Sequence, residues 1–302
     1  MTLNGSFRFQ KDPMSGTICI SYIVLASVRL KDVDHATKGI MSSIQRNNVK
    51  ITGSGPRVVM FAHGYGCDQN MWRAVVPSFE KDFTIVLFDY VGSGKSDPAA
   101  FSRTHYSTLR GYASDVIDII DELKLGRVNF IGHSVSSMIG ALAAIERPEL
   151  FENLVMIGPS PSYLNDGAYV GGFERSDIDE LLEVLENNHT GWAAMMAPIV
   201  MGNPDRPELA AELEASFCNT DPIHAQHFAR VTFLSDNRAD LLKLKTRTLI
   251  LQCDKDAIAP AVVGEYVHQC IAESQLIVME ATGHCPHLSS PGTVTQAIQN
   301  FL

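Results

Sequence analysis

One serine of the chain stands in a sequence typical of an activated nucleophile. The segment Gly-His-Ser-Val-Ser at positions 132–136 directly follows an apolar run and directly precedes a stretch of helical composition. A sharp turn between a strand and a helix exposes a serine hydroxyl, and small neighbouring residues relieve the crowding of the backbone. The fifth position of this pattern is usually glycine, and we expect Ser136 to be a tolerated substitution there. Ser134 is therefore the predicted nucleophile.

A serine hydroxyl is a weak nucleophile at neutral pH and needs a neighbouring base, which a third group must hold in place. Asp256 and His284 each follow a predicted strand, and the chain order serine, acid, histidine is that of one class of hydrolytic triads. We predict that His284 takes the proton of Ser134, while Asp256 fixes the imidazole tautomer and stabilises the imidazolium. Asp254, which lies closer to the preceding strand, is the alternative acid.

The tetrahedral intermediate of acyl transfer carries a negative oxygen, which needs hydrogen-bond donors that are already in place. One donor would be the backbone amide of Val135, directly after the nucleophile. The other would come from the segment His-Gly-Tyr-Gly at positions 63–66, in which Tyr65 is the expected donor. An ordinary glycine-rich turn is the alternative interpretation of that segment.

Two other patterns suggest metal or nucleotide chemistry, and both are weak. His284 and His287 have the spacing of metal ligands, but no third ligand stands at a plausible distance, so we interpret His287 as a structural hydrogen-bonding partner. The segment Gly-Ser-Gly-Lys-Ser at positions 92–96 resembles the end of a phosphate-binding loop, which would need glycine where the chain has Asp89. The sequence therefore predicts neither a metal nor an organic cofactor.

The elements that must position these residues follow a regular alternation from about Val58 onward. Short apolar runs alternate with helical stretches, a pattern typical of β-α-β units and a mostly parallel sheet. The predicted strands are Val58–Ala62, Phe83–Asp89, Val128–Ile131, Leu154–Ile157, Thr248–Gln252 and Gln275–Met279. The clearest helices between them are Tyr106–Leu123 and Val135–Glu146. The carboxyl ends of parallel strands meet at one edge of a sheet, so we expect the candidate residues to gather there.

The alternation stops between Pro161 and about Lys245. The patterns in this stretch are all helical and comprise Asp177–Asn188, Gly191–Met196, Glu208–Phe217 and Pro222–Phe233. A helical insertion between two strands would form a lid over the carboxyl ends of the strands, where open sheets bind ligands.

Composition excludes several other classes of protein. The chain has 302 residues, a length that one large α/β domain reaches. Its net charge is −10 and no Lys/Arg cluster occurs, which argues against partners such as nucleic acid or anionic membranes. No apolar run approaches the roughly 20 residues of a membrane span. The six cysteines form no CxxC pair, so we expect reduced thiols and a cytoplasmic protein.

Residues 1–40 differ from the rest of the chain. The apolar stretch Ile18–Val28 resembles the core of an export signal, although Asp12 precedes it and Ser21 and Tyr22 interrupt it. We favour an accessory segment, or an upstream extension of a protein whose functional start is Met41. The predicted organisation is an extension of unknown role at 1–40, which could be disordered, and a domain at 41–302 with a helical cap at about 161–245.

From Met41 to the C-terminus, the chain resembles the RsbQ-like α/β-hydrolases, which regulate a stress sigma factor, and more distantly the plant karrikin and strigolactone receptors. The stretches that carry this resemblance are Gly64–Gln69, Leu87–Gly94, Gly158–Asp166, Leu251–Cys253 and Gly283–His287. The resemblance implies an α/β-hydrolase fold, with a mostly parallel sheet flanked by helices and a helical cap inserted between strands. It also implies a closed apolar pocket and a triad of Ser134, Asp256 and His284.

With this resemblance, Tyr65, Trp192 and Phe233 are the candidates for lining the substrate pocket, and plain core packing is the alternative for each of them. Two functions are then open. The first is a serine hydrolase that cleaves a small apolar ester or lactone through an acyl-enzyme. The second is an RsbQ-like signalling protein that binds or slowly hydrolyses a small hydrophobic ligand. The resemblance implies that such a protein works with a PAS-domain phosphatase in sigma-factor stress regulation.

Overall fold

The computed structural model describes residues 41–302. The predicted extension at 1–40, with its alternative interpretations, lies outside the described residues. One sheet of seven strands occupies the centre of the described chain, in the order β1-β3-β2-β4-β5-β6-β7. Only the β1–β3 pair within this sheet is antiparallel. The strands are β1 Lys50–Gly53, β2 Arg57–Ala62, β3 Phe83–Leu87, β4 Val128–His133, β5 Phe151–Ile157, β6 Thr248–Lys255 and β7 Ser274–Thr282.

Helices cover both faces of the sheet. They are α1 Ser43–Arg46, α2 Leu109–Leu123, α3 Val135–Glu146, α4 Arg175–Asn187, α5 His189–Met201, α6 Pro207–Asn219, α7 Pro222–Phe233, α8 Arg238–Leu241, α9 Ala261–Cys270, α10 Pro286–Ser289 and α11 Pro291–Phe301. A mostly parallel sheet flanked by helices is the architecture expected from the sequence.

Alternate residues of each central strand enter two separate hydrophobic cores. In β2, Val59 and Phe61 belong to the first core, whereas Met60 and Ala62 belong to the second. This division follows from the two-residue period of a strand. Residues of α11 and of α4–α7 complete the first core, and residues of α2, α3 and α9 contribute to the second. Strands β2–β6 are largely buried and apolar, as expected of strands covered on both faces. The edge strand β7 is mostly exposed and was predicted from the run Gln275–Met279.

Five helices, α4–α8, lie between β5 and β6, where the sequence predicts a helical insertion. Apolar side chains such as Ile178 on α4, Trp192 on α5 and Phe217 on α6 are buried in the first core. The insertion therefore packs against the same core as one face of the sheet. We call α4–α8 the cap; the domain boundaries at 41 and at about 161 and 245 stay predictions.

Within residues 41–302, no helix combines the length and the apolar character that crossing a bilayer requires.

Candidate active site

Ser134 occupies the sharp turn between β4 and α3. Its backbone has φ 57° and ψ −122°, a conformation that residues other than glycine rarely adopt. The Ser134 amide donates a hydrogen bond of 2.8 Å to the carbonyl oxygen of Ile157 on β5, which holds the turn to the neighbouring strand. A Cβ atom on Gly132 would lie 2.5 Å from the carbonyl oxygen of Ser136, so glycine is required there. The local geometry is that of the predicted nucleophile elbow.

Three side chains from distant parts of the sequence meet at this turn. Nε2 of His284 lies 2.6 Å from Oγ of Ser134, and Nδ1 of His284 lies 2.7 Å from Oδ2 of Asp256. Both distances are those of hydrogen bonds, and all three residues are buried. The imidazole can therefore accept the hydroxyl proton on one nitrogen while its other N–H donates to the carboxylate.

The loop after β6 holds the carboxylate of Asp256 in place. Its Oδ1 atom accepts hydrogen bonds from the amides of Ile258 at 2.8 Å and Ala259 at 3.1 Å, which leaves Oδ2 for His284. Asp254 is exposed on β6 and accepts a hydrogen bond of 3.1 Å from the amide of Ala281. The structure thus brings Asp256, and not the alternative Asp254, to the histidine.

The loop after β7 holds His284 against the cap. The amide of His284 donates a hydrogen bond of 2.7 Å to the carbonyl oxygen of Val200 on α5, and the amide of Gly283 donates one of 2.7 Å to Lys255. Gly283 has φ 89°, and a Cβ atom on it would overlap the carbonyl oxygen of Met201. A cap helix is therefore in direct contact with the backbone of the histidine.

The two predicted oxyanion donors flank the nucleophile. Neither the Val135 amide nor the Tyr65 amide donates a backbone hydrogen bond to another residue of the described chain. A Cβ atom on Gly64 would lie 2.5 Å from Nδ1 of His133 and 3.5 Å from Cβ of Ser134, so the loop at 63–66 approaches the elbow closely. The loop that carries the Tyr65 amide thus lies beside the elbow, and the role of the Val135 and Tyr65 amides as an oxyanion hole stays a prediction.

Ser136, at the position usually taken by glycine, connects the elbow helix to that loop. Its hydroxyl donates to the carbonyl oxygen of His63 and lies 3.0 Å from the hydroxyl of Tyr90. His63 begins the segment that carries Tyr65. The serine at this position is therefore accommodated by hydrogen bonds to His63, in the loop at 63–66, and to Tyr90.

A narrow cavity of about 40 Å³ lies between Ser134 and the cap. The predicted pocket residues Tyr65, Trp192 and Phe233 all line it, together with Cys67, Tyr163, Met196, Val200, Leu213, Phe217, Thr232, Ile258 and Cys285. None of the described residues that line the cavity is Lys, Arg, Asp or Glu. The lining of the cavity therefore suits an uncharged ligand.

The pocket aromatics also pack against one another. The ring of Tyr65 lies 5.9 Å from that of Trp192 and 6.1 Å from that of Phe233, between ring centroids. The Tyr65 hydroxyl donates to the carbonyl oxygen of Ala225 on α7 at 3.1 Å. Core packing and pocket lining, which the sequence offered as alternatives for these residues, thus occur together.

Tyr163 and Thr232 are polar residues of the cavity that were not predicted from the sequence. Tyr163 lies beyond the carboxyl end of β5; burial raises its pKa to about 12, and an interaction with the side chain of Ser134 acts in the opposite direction. Its place after a strand that ends at the same sheet edge as Ser134 is the signal that could have identified it. Thr232 lies on a cap helix, and no sequence pattern marks it.

The prediction that His287 is a hydrogen-bonding partner is wrong. Neither ring nitrogen of this buried residue has a partner among residues 41–302. Its ring packs instead on Trp72 and His133, at centroid distances of 4.7 Å and 4.4 Å. Burial lowers the pKa of His287 to about 3. Both nitrogens of His284 are engaged by Ser134 and Asp256, so the two histidines do not form a pair of metal ligands.

One cluster beside the triad contains atoms that metals can bind. Side-chain donor atoms of His133, Cys285 and His287 lie within 4.8 Å of one another. A metal would need the thiolate form of cysteine, but burial raises the pKa of Cys285 well above its usual value. Nε2 of His133 is also bonded to the carbonyl oxygen of His284 at 2.7 Å. We therefore assign no metal to this cluster.

Comparison with known proteins agrees with this architecture. A family model described as "alpha/beta hydrolase fold" matches residues 57–291. The Karrikin insensitive 2 receptor CA of Petunia hybrida is 42% identical over 251 residues, which are 83% of this chain and 93% of the receptor. Strigolactone esterase D14 of Arabidopsis thaliana is 36% identical over 256 residues, which are 84% of this chain and 96% of the esterase. The structure of olei00960, a hydrolase from Oleispira antarctica, is 47% identical with a TM-score of 0.84, covering 86% of this chain and 95% of that one.

Proposed function

The chain belongs to the alpha/beta hydrolase family, and on that premise we propose that it is a serine hydrolase that cleaves a small, uncharged ester or lactone through an acyl-enzyme on Ser134. The observation that carries the proposal is the continuous hydrogen-bonded chain from Ser134 through His284 to Asp256, with distances of 2.6 Å and 2.7 Å. No metal or organic cofactor enters the proposed reaction.

The first half of the reaction acylates the enzyme. Oγ of Ser134 attacks the acyl carbon, and Nε2 of His284 takes the hydroxyl proton. The electron pair of the carbonyl moves to its oxygen, which the amides of Val135 and Tyr65 would stabilise. When this intermediate collapses, the bond to the alkoxy oxygen breaks, and the proton on His284 passes to the leaving alcohol.

Water completes the reaction. His284 removes a proton from a water molecule, whose oxygen attacks the acyl carbon, and collapse of the second intermediate returns the proton to Oγ of Ser134. The product is a carboxylic acid. From a lactone, the alcohol and the acid are parts of the same molecule, so one hydroxy acid would leave.

Substitution of the nucleophile tests this proposal. We expect Ser134→Ala to lose all measurable hydrolysis of p-nitrophenyl acetate and all labelling by phenylmethylsulfonyl fluoride, detected as a mass increase of the intact protein. The surface variant Ser107→Ala is the control and should keep both properties. Labelling that persists in the Ser134→Ala protein would overturn the assignment of the nucleophile.

We propose signalling as the second candidate function. Support comes from the similarity to the karrikin receptor and from a ligand cavity that lies beneath a cap. A receptor of this kind would release about one equivalent of p-nitrophenol from p-nitrophenyl acetate per protein molecule. An enzyme would continue to hydrolyse the ester. An RsbQ-like role with a PAS-domain phosphatase in sigma-factor stress regulation, in the cytoplasm, rests on the sequence resemblance. Copurification of such a phosphatase with the protein would support it.

A further inference from the structure

The side chain of His133 connects the nucleophile strand to the backbone of His284. His133 is the last residue of β4, directly before Ser134, and it is 2% exposed. Its Nε2 atom lies 2.7 Å from the carbonyl oxygen of His284. A carbonyl oxygen only accepts hydrogen bonds, so Nε2 of His133 carries a proton and is the donor. The residue before the proposed nucleophile thus bonds directly to the proposed general base.

Two further buried rings continue from His133. The ring of His287 packs on the ring of His133, with 4.4 Å between their centroids, and the ring of Trp72 packs on that of His287 at 4.7 Å. Trp72 and His287 are both fully buried. Trp72, His287 and His133 therefore form a continuous series of buried rings, which we call the ring column. One end of the column is the hydrogen bond to His284.

The ring of His133 also contacts the loop that carries a proposed oxyanion donor. A Cβ atom on Gly64 would lie 2.5 Å from Nδ1 and 3.0 Å from Cε1 of this ring, so glycine allows the loop at 63–66 to lie against it. Tyr65 follows directly in the chain. His133 thus adjoins the elbow in sequence, contacts the loop at Gly64 and bonds to the carbonyl group of His284.

The backbone of His284 is held on both sides of its Cα atom. On one side, its amide donates to the carbonyl oxygen of Val200 on the cap helix α5. On the other side, its carbonyl oxygen accepts from His133, which belongs to the sheet. Because a residue has only two soft backbone dihedrals, bonds to both of its peptide groups restrict the direction in which its side chain leaves the chain. The imidazole must meet Ser134 and Asp256 at the same time, so this restriction bears directly on the triad.

We propose that His133, supported by His287 and Trp72, is a positioning residue that aligns the imidazole of His284 with Ser134 and Asp256. This inference rests on the proposed function. A catalytic group is held precisely when the side chains that hold it are themselves fixed by packing, and the ring column provides such packing for His133. The spacing of His284 and His287 thereby gains a role other than metal binding. The first histidine transfers protons, and the second supports the ring that holds the first in place.

Two replacements of His133 test the hydrogen bond to His284. Methionine and glutamine are both unbranched and similar in size, but only glutamine carries an N–H donor. We expect His133→Met to lower kcat for p-nitrophenyl acetate about 3- to 10-fold, the loss of one hydrogen bond, and His133→Gln to restore most of this loss. The difference between the two variants should appear in kcat rather than in KM, because a misaligned base slows the chemical step. Equal kcat values for the two variants would overturn the proposal.

A second pair of variants tests the support that the column gives. His287→Phe keeps a ring between His133 and Trp72, whereas His287→Leu removes it. We expect His287→Leu to lower kcat about 2- to 10-fold, the worth of one aromatic pair, and His287→Phe to keep most of the parent value. Phe151→Leu is the control, since it removes a buried ring that packs on Phe130 in the other core. If kcat of His287→Leu equals that of the Phe151 variant, the column does not support His133.

A spectroscopic measurement on the free protein separates this inference from the proposed function. The proton that Nδ1 of His284 donates to Asp256 gives a downfield resonance in proton NMR, which is identified by its absence from Asp256→Ala. We expect this resonance to stay sharp in His133→Gln and to broaden by exchange with water in His133→Met. An unchanged resonance in both variants would contradict the inference, even in a protein that hydrolyses esters. Broadening in His133→Met alone would support it, even if Ser134 proves not to be a nucleophile.

Discussion

Ser136 contacts the loop that carries a proposed oxyanion donor and does not contact the reacting atoms. Its hydroxyl donates to the carbonyl oxygen of His63, and two residues further along the chain lies Tyr65, a proposed oxyanion donor. Without that hydroxyl, the His63 carbonyl loses its donor and the loop is less firmly held beside the nucleophile. Ser136 is thus a positioning residue, and a glycine at this position would lack the contact.

We expect Ser136→Ala to lower kcat for p-nitrophenyl acetate about 3- to 10-fold, the effect of one hydrogen bond, with KM nearly unchanged because the pocket itself is intact. The comparison variant is Tyr90→Phe, which removes the hydroxyl near Ser136 but leaves the bond to His63. It should keep kcat within about twofold of the parent value. A kcat that is equal in Ser136→Ala and the parent would show that the loop needs no such support.

At this scale, the sequence predicted the residues whose place is set by strand ends and missed those whose place is set by packing. Ser134, Asp256 and His284 each follow an apolar strand, so the parallel topology alone brings them to one edge. Thr232 faces the cavity through the packing of helices, which no spacing in the sequence encodes. His287 was assigned a hydrogen bond because of its polar type, but the structure places it among aromatic rings, and within residues 41–302 neither of its ring nitrogens has a hydrogen-bond partner.

At the scale of elements, helix α5 links the cap to the triad. It carries Trp192 near its beginning and ends beside the loop of His284, whose amide bonds to Val200. Asn203, just beyond the helix, strengthens this junction, since its Nδ2 atom donates to the carbonyl oxygens of Met201 at 2.6 Å and Thr282 at 2.9 Å. One side chain thereby bridges the end of a cap helix and the end of β7.

We expect Asn203→Ala to lower kcat about 3- to 10-fold, because the two carbonyl groups lose their common donor and the His284 loop is held less firmly. Asn187→Ala is the matched control, since the amide of Asn187 bonds only within α4 at the surface. The rate of acylation is measured by stopped flow as the release of p-nitrophenol from p-nitrophenyl acetate. If acylation by the Asn203 variant is as fast as that of the control, the junction does not position the histidine.

The elements that were predicted are those marked in the sequence by an apolar run or a helical pattern. Strands β2–β7 and helices α2–α7 all correspond to predicted segments, with differences at their ends. Strand β1 was missed because Lys50–Gly53 is mostly exposed, with one antiparallel neighbour at the edge of the sheet, so no apolar run marks it. Helices α9 and α11 were not proposed, although buried residues such as Val267 and Ile298 join the two cores.

At the scale of the whole molecule, the burial of neutral histidines makes stability depend on pH. Burial lowers the pKa of His287 to about 3 and also lowers the pKa of His63 and His133. Between about pH 3 and the unfolded value near 6.5, the unfolded chain binds a proton at His287 and the folded protein does not. The free energy of unfolding therefore decreases as the pH falls through this window, by about 1.4 kcal/mol per pH unit for one such residue.

We expect the Tm of the parent protein to fall from pH 7 to pH 5, and His287→Gln to show a shallower fall over the same range, whatever its Tm at pH 7. His268→Gln, which changes a histidine on the surface, should keep the slope of the parent. Tm measured by calorimetry in buffers of equal ionic strength checks this. Parallel Tm curves for the parent and the His287 variant would contradict the assignment of a buried, neutral histidine.

The bond between the His284 amide and Val200 has a consequence for the order of events in each turnover. Ser134 and His284 are 5% and 4% exposed, and we expect that a substrate reaches them only if the cap is displaced. Movement of α5 would lengthen the hydrogen bond between the His284 amide and Val200, and His284 would then be misaligned with Ser134 and Asp256. We therefore expect substrate entry and hydrolysis to occur at separate steps of the turnover, with the triad aligned only after the substrate has entered.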